Sequence, residues 1–173
     1  MTIINIKKVK ITELNELQAI SRKTFAETFA EINTKADMDI YLSENLSATK
    51  LMAELNEPNA EFYFATLNNS IIGYLKINFG QSQTELPNDN GLEVERIYVL
   101  KEYHGEKVGQ QLLDKALSIA RHRNASYIWL GVWENNLRAI SFYKKNGFVE
   151  FDKHPFLLGN DEQTDIMMKL MLR

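Results

Sequence analysis

Apolar and polar residues alternate through the first stretch of the chain, with Ile4 and Ile6 on one face, which predicts a first strand over residues 3–11. The period then lengthens. Leu14, Leu17, Ile20, Phe25 and Phe29 follow Thr12, a candidate N-cap, at helical spacing. A helical pattern covers residues 35–55 in two pieces broken near 45–47, and Pro58 closes it. Residues 61–67 and 70–78 are rich in β-formers. Asn68-Asn69 between them signals a tight hairpin, because Asn tolerates positive φ. Residues 80–91 are polar and contain Pro87, so they read as a loop, and a strand follows over 92–100. Val108, Leu112, Leu113, Ala116, Leu117 and Ala120 form a 3.6-period stripe that predicts a helix from about 109 to about 123. The apolar run 127–133 has the character of a central strand buried on both faces. A helix over 137–145 stops at Asn146-Gly147, and strands at 148–151 and 164–172 complete the chain. The order β-α-α-β-β-β-α-β-α-β-β is an α/β fold: a mixed central β-sheet with helices on both faces.

A chain of 173 residues suits one domain, 1–173. Lys plus Arg number 20 against 23 Asp plus Glu, a net charge of -3, which argues against a basic field for nucleic acid. No apolar run approaches the roughly 18 residues of a membrane span, and the first residues lack a signal peptide's apolar segment, so the cytoplasm is the expected address. With no cysteine, thiolate metal sites and an acyl-cysteine intermediate are excluded. His104, His122 and His154 are scattered, so no metal is expected. Residues 61–99 carry two basic and five acidic side chains, whereas 100–150 carry eight basic and five acidic. That contrast suits an anion held by the second region beside a cation held by the first, though random scatter gives the same arithmetic.

The most informative stretch runs from Glu93 to Gly109, where a strand ends, a loop with Gly105 turns and a helix begins. Free backbone N–H groups and the helix dipole make such an N-terminus a seat for phosphate or pyrophosphate. It is no Walker loop, since no Gly-Lys-Ser/Thr follows, and the three spaced glycines of a dinucleotide site are absent. A second stretch, Trp129 to Phe148, runs from the apolar strand through Asn135-Asn136 into a helix with Ala139, Phe142 and Tyr143, and leaves it at Gly147-Phe148. Taken together, the two stretches resemble the GCN5-related N-acetyltransferases. In that family a strand ending in Val or Ile leads to Gln/Arg-x-x-Gly-x-Gly/Ala, represented here by Val99 and His104-Gly105-Glu106-Lys107-Val108-Gly109. The family's Asn-x-x-Ala-x-x-Phe-Tyr-x-x-x-Gly-Phe is matched at Asn136, Ala139, Phe142, Tyr143, Gly147 and Phe148. Two positions depart from the pattern: His104 replaces Gln/Arg and Lys107 replaces the first glycine. Lys107 must either take an ordinary backbone conformation or carry strain. The element order agrees with the family over nearly the whole chain.

The resemblance implies an acetyl-CoA cosubstrate, with its pyrophosphate on the backbone of His104, Gly105, Glu106, Lys107, Val108, Gly109 and Gln110. Its pantetheine arm would pair with Ile97, Tyr98 and Val99 beside Asn136, with Lys145 near by, and the Ile97 N–H would face the acetyl oxygen. It also makes Tyr143 the acid that protonates the departing thiolate. Without the motif, Tyr143 reads as an amphipathic tyrosine with its ring in the core, and Asn136 reads first as a helix cap. Glu93 and Glu95 alternate on one strand and share a face unless a bulge intervenes. They are candidates to bind an ammonium and relay its proton, because an alkyl amine of pKa near 10.4 arrives charged. Two solvated strand-face charges are the other reading.

Glu93-Val94-Glu95-Arg96-Ile97-Tyr98, Thr24-Phe25-Ala26-Glu27-Thr28-Phe29 and the tail Gly159 to Asp165 resemble, more narrowly, the bacterial spermidine/spermine N-acetyltransferases of the PaiA type. That resemblance implies a small amine acceptor, a polyamine first, read by Glu27, Glu31, Asp161, Glu162 and Asp165 as well, with no nucleic acid or membrane partner and with a homodimer open. Acetylation of a protein N-terminus, a lysine or an aminoglycoside, or a non-catalytic acyl-CoA-binding regulator, are the rival readings.

Overall fold

A computed structural model describes residues 3–87 and 90–172; residues 88 and 89 of the expected loop lie outside the described residues. The chain forms β1 (Asn5–Lys8), α1 (Leu14–Phe29), α2 (Lys35–Glu44), α3 (Ala48–Asn56), β2 (Ala60–Leu67), β3 (Ser70–Phe79), β4 (Gly91–Val99), α4 (Val108–His122), β5 (Tyr127–Trp133), α5 (Leu137–Lys145), β6 (Val149–Leu158) and β7 (Asp161–Met171). Among the described residues the strands make one seven-stranded sheet in the order β1-β2-β3-β4-β5-β7-β6. Neighbours run antiparallel except β4 and β5, which are parallel. The expected mixed sheet with helices on both faces is the fold observed.

Each face of the sheet has its own core. The α4 stripe is buried against one face, with Leu92, Val94, Ile128 and Leu130 beneath it. Burying a leucine such as Leu112 contributes about 1.5–3 kcal/mol. On the other face Leu17, Phe25 and Phe29 of α1, Met38 and Tyr41 of α2 and Leu51 of α3 pack on Phe62, Phe64 and Tyr74. The break between α2 and α3 falls where the sequence puts it, because Ser47 caps α3 by accepting a hydrogen bond from the Lys50 N–H at 3.1 Å. Asn68 and Asn69 take positive φ, 50° and 66°, in the β2–β3 hairpin.

Three boundaries differ from expectation. The first strand is shorter and Thr12 is not the cap; a 3-10 turn over Ile11–Glu13 comes first, with the Glu13 carboxylate accepting from the Lys10 N–H at 2.9 Å. The last two strands are longer than expected and meet at Gly159, whose φ is +62°. β6 is the sheet's edge, where Val149 and Leu157 are exposed among polar side chains and Pro155 loses no ladder bond on the open side. Neither feature gives the apolar alternation by which a strand is read.

Candidate active site

β4 and β5 pair only from Gly91–Tyr127 to Val94–Leu130, and beyond that point they part. A cleft of about 1360 Å³ occupies the fork. Its walls hold Glu93, Glu95, Ile97, Tyr98, Val99, His104, Gly105, Lys107, Val108, Gly109, Gln110, Asn136, Tyr143 and Lys145; of the residues expected to hold the cofactor or carry the chemistry, Glu106 is not on its wall.

The cofactor side takes its shape from the β4 edge and the α4 N-terminus. Leu100 donates to Ile72 O on β3, so the alternation of peptide groups turns those of Ile97 and Val99 toward the cleft. His104, in the family's Gln/Arg position, donates from Nε2 to Val99 O at 2.9 Å. Lys107, at φ 61° and ψ 19°, resolves its alternative on the side of strain: it is left-handed and starts α4 with no side-chain cap. Gly105 has φ +89°. Gly109 is different. A Cβ there would have Phe142 and Val99 as nearest atoms, both at 4.0 Å, so packing within the chain does not require glycine. Uncapped helix N–H groups beside Gly105, where an added Cβ would meet nothing within 4 Å, fit a pyrophosphate. Asn136 is a helix cap, its Oδ1 accepting from the Ala139 N–H at 3.2 Å. Gln110 donates to Asp114 and Asn146, each at 2.9 Å. Tyr143 is buried between Phe142 and Phe148, and burial pushes its phenol above the usual tyrosine range, so it keeps its proton. Its hydroxyl makes no hydrogen bond among the described residues, and the residue lines the cleft.

A bulge shapes the acceptor side. Lys76 pairs with Arg96 and Ile77 with Val94, which leaves Glu95 as the extra residue in β4. Leu92 and Val94 before it, and Ile97 and Val99 after it, all serve the α4 core, whereas Tyr98 and Leu100 turn to the α1–α3 side. Both glutamates reach the cleft wall and share Asn78, whose Nδ2 also donates to Glu95 at 3.2 Å, but their other partners differ. Glu93 accepts from Asn78 Nδ2 at 3.0 Å, from the Thr84 N–H at 2.8 Å and from the Thr84 hydroxyl. Burial first, and then the Glu95 charge, pushes its carboxyl up, partly offset by those bonds. Glu95 is ion-paired with Lys76, which also pairs with Glu54; Glu54 in turn meets Arg96 at 3.1 Å. Burial alone would raise the Glu95 carboxyl, but Arg96 and Lys76 outweigh it and hold it below its ordinary range.

Sequence reasoning did not find this neutral four-charge network, because its members come from α3, β3 and β4. Phe25, Phe29, Tyr41, Trp133 and Phe156 wall the rest of the chamber, with Phe25 stacked on Tyr41 at 4.1 Å. Of the other acids expected there, Glu27 and Asp165 line the cleft, while Glu31, Asp161 and Glu162 are exposed and off its wall. Glu27 accepts from the Lys101 N–H at 3.2 Å. Burial pushes Asp165 up to about 6, although His154 acts the other way.

A mixed sheet forked between parallel strands, with a bare helix N-terminus on one side of the fork and carboxylates on the other, is the architecture of a coenzyme-A-dependent acyl transferase. The chain belongs to the acetyltransferase (GNAT) family, whose model matches residues 18–148. It is 40% identical over 172 residues to an uncharacterized N-acetyltransferase of Lactobacillus delbrueckii subsp. lactis, covering 99% of each chain. It is 28% identical to a spermidine N(1)-acetyltransferase of Thermoplasma acidophilum, over 84% of this chain and 88% of that one. The crystal structure of the PaiA N-acetyltransferase from Thermoplasma acidophilum in complex with coenzyme A superposes with a TM-score of 0.81, at 26% identity over 98% of this chain and 99% of that chain. The protein is an acetyl-CoA-dependent N-acetyltransferase. Among the described residues no helix is long and apolar enough to cross a membrane, and no group of three His, Cys, Asp or Glu side chains is placed to hold a metal.

Proposed function

We propose that the domain 1–173 acetylates a primary amine by direct attack in a ternary complex, and that the amine is a polyamine such as spermidine or spermine. The observation that carries the reading is the acceptor chamber, where aromatic walls that suit methylene chains surround carboxylates that suit ammonium groups. The spermidine N(1)-acetyltransferase among the relatives supports the same substrate class. Bound acetyl-CoA supplies an acetyl group activated as a thioester. The backbone of residues 105–110 holds its pyrophosphate, with the Lys107 ammonium adding charge, and the Ile97 N–H faces the acetyl oxygen. Tyr143 gives its proton to the departing sulfur. The field of Glu93 and Glu95 favours an ammonium at the fork, although Lys76 cancels much of the Glu95 charge at close range. Because ion pairs at a partly open site are screened by salt, the KM for spermidine should rise with ionic strength, more for spermine and less for a monoamine. A KM independent of salt for all three amines contradicts the polyamine assignment.

A further inference from the structure

An ammonium must lose a proton before it can attack, and neither glutamate is free to take it. Glu93 already accepts three hydrogen bonds, and Glu95 is held as a carboxylate by Lys76. A separate cluster lines the same chamber. His154 on β6 stands opposite Asp165 on β7, and Gly131 of β5 lies against both. A Cβ at position 131 would fall 3.0 Å from His154 Nε2 and 3.4 Å from Asp165 Oδ2, so glycine leaves room there for the imidazole. Gly131 is the first β5 residue past the last β4–β5 pair, which sets the ring at the apex of the fork.

The ring's hydrogen bond defines its tautomer. Nδ1 lies 3.1 Å from Pro155 O, which can only accept, so Nδ1 carries the hydrogen and Nε2 presents a lone pair. The charged groups facing the ring are Asp165 on β7, 3.9 Å from Nε2, and Glu85 on the loop before β4, 3.7 Å from Nδ1. From β5, Gly131 lies against it and carries no charge. Glu93 on β4, which lines the same cleft, is occupied by Thr84. The Asp165 carboxylate accepts no hydrogen bond among the described residues and lines the cleft.

We propose that His154 is the base that takes the acceptor's proton, and that Asp165 docks the ammonium and then holds the imidazolium. This rests on the acetyl-transfer reading and deepens it. The ammonium gives one proton to His154 Nε2, which passes it to solvent past the half-exposed Glu85. The freed nitrogen pair forms the N–C bond to the acetyl carbon as the C–S bond breaks. Tyr143 protonates the sulfur and recovers its hydrogen from the amide nitrogen, so the net release is one proton.

The test measures kcat against pH, at saturating acetyl-CoA and saturating spermidine, or the best amine of a panel if spermidine is not accepted. The wild type should lose activity on the acid side. His154→Gln should lower kcat roughly 100-fold and erase that acid limb, within the usual range for a lost general base. Coenzyme A affinity should not change, because His154 is on the far face from α4. Added imidazole should restore part of the rate of His154→Gly. Asp165→Asn should keep the limb and should raise the KM for the amine, because the ammonium loses its docking carboxylate. A His154→Gln variant that binds coenzyme A normally and keeps the wild-type rate and limb overturns the proposal. So does a limb lost in Asp165→Asn but kept in His154→Gln, which would make Asp165 itself the base. If the wild type releases no thiol with any amine, both the proposal and the reading beneath it fall.

Discussion

The Tyr143 phenol is buried among rings, has no hydrogen-bond partner among the described residues and keeps its proton. Those are the conditions for a donor at a site from which water is excluded. Tyr143→Phe keeps the ring and removes only the proton, so kcat should fall roughly 10- to 1000-fold while coenzyme A affinity, measured by calorimetry, stays the same. Asp165 gives the site a stability signature as well. Its folded-state pKa, about 6, lies above the unfolded value, so the stability it contributes is full below about pH 4 and is lost as pH rises through 6. Asp165→Asn should therefore be more stable than the wild type at pH 7–8, by about 1–2 kcal/mol once solvent screening is allowed for, and no more stable at pH 4. Denaturant melts at the two pH values check this. The motifs made Tyr143, Asn136 and the residues around Gly109 legible. His154 was not, because the polar run Asp152-Lys153-His154-Pro155 gives no apolar alternation from which to assign it a face.

Among the elements, the bulge in β4 and the start of α4 do most to shape the site. A bulge is invisible in a sequence whose alternation is read two residues at a time. The spacing of Glu93 and Glu95 puts them on one face unless a bulge intervenes; the bulge is present, yet Asn78 Nδ2 bonds both carboxylates, and only their further partners differ, Thr84 for one and Lys76 for the other. The helix α4 was legible because a 3.6-period stripe depends only on its own residues. α5 and β5 follow the expected bounds for the same reason. Gly109 lies in the first turn of α4, with room for a Cβ at van der Waals distance from Phe142 and Val99. Gly109→Ala should raise the melting stability slightly, by about 0.5 kcal/mol, because alanine is the better helix former. It should nevertheless weaken coenzyme A binding, since the added methyl enters the space assigned to the pyrophosphate. A variant that gains stability and binds as before removes the pyrophosphate from this turn.

On the scale of the whole molecule, the sheet divides the labour. One face, under α4 and α5, presents helix N–H groups and the Lys107 ammonium to a phosphate. The other, under α1, α2 and α3, presents aromatic rings and carboxylates to an amine, and the fork between β4 and β5 lets the two sides meet. The contrast between an acidic middle region and a basic following region anticipates this division. It could not show that the Glu54, Lys76, Glu95 and Arg96 charges cancel, since those residues are joined only by folding. The measurement that bears most directly on this arrangement is release of coenzyme A thiol from acetyl-CoA, followed with spermidine and with an uncharged alcohol of similar length, and with the product identified by mass. Thiol release that requires spermidine and yields a monoacetylated polyamine is expected. Equal release with the uncharged compound, or none with spermidine, would contradict it.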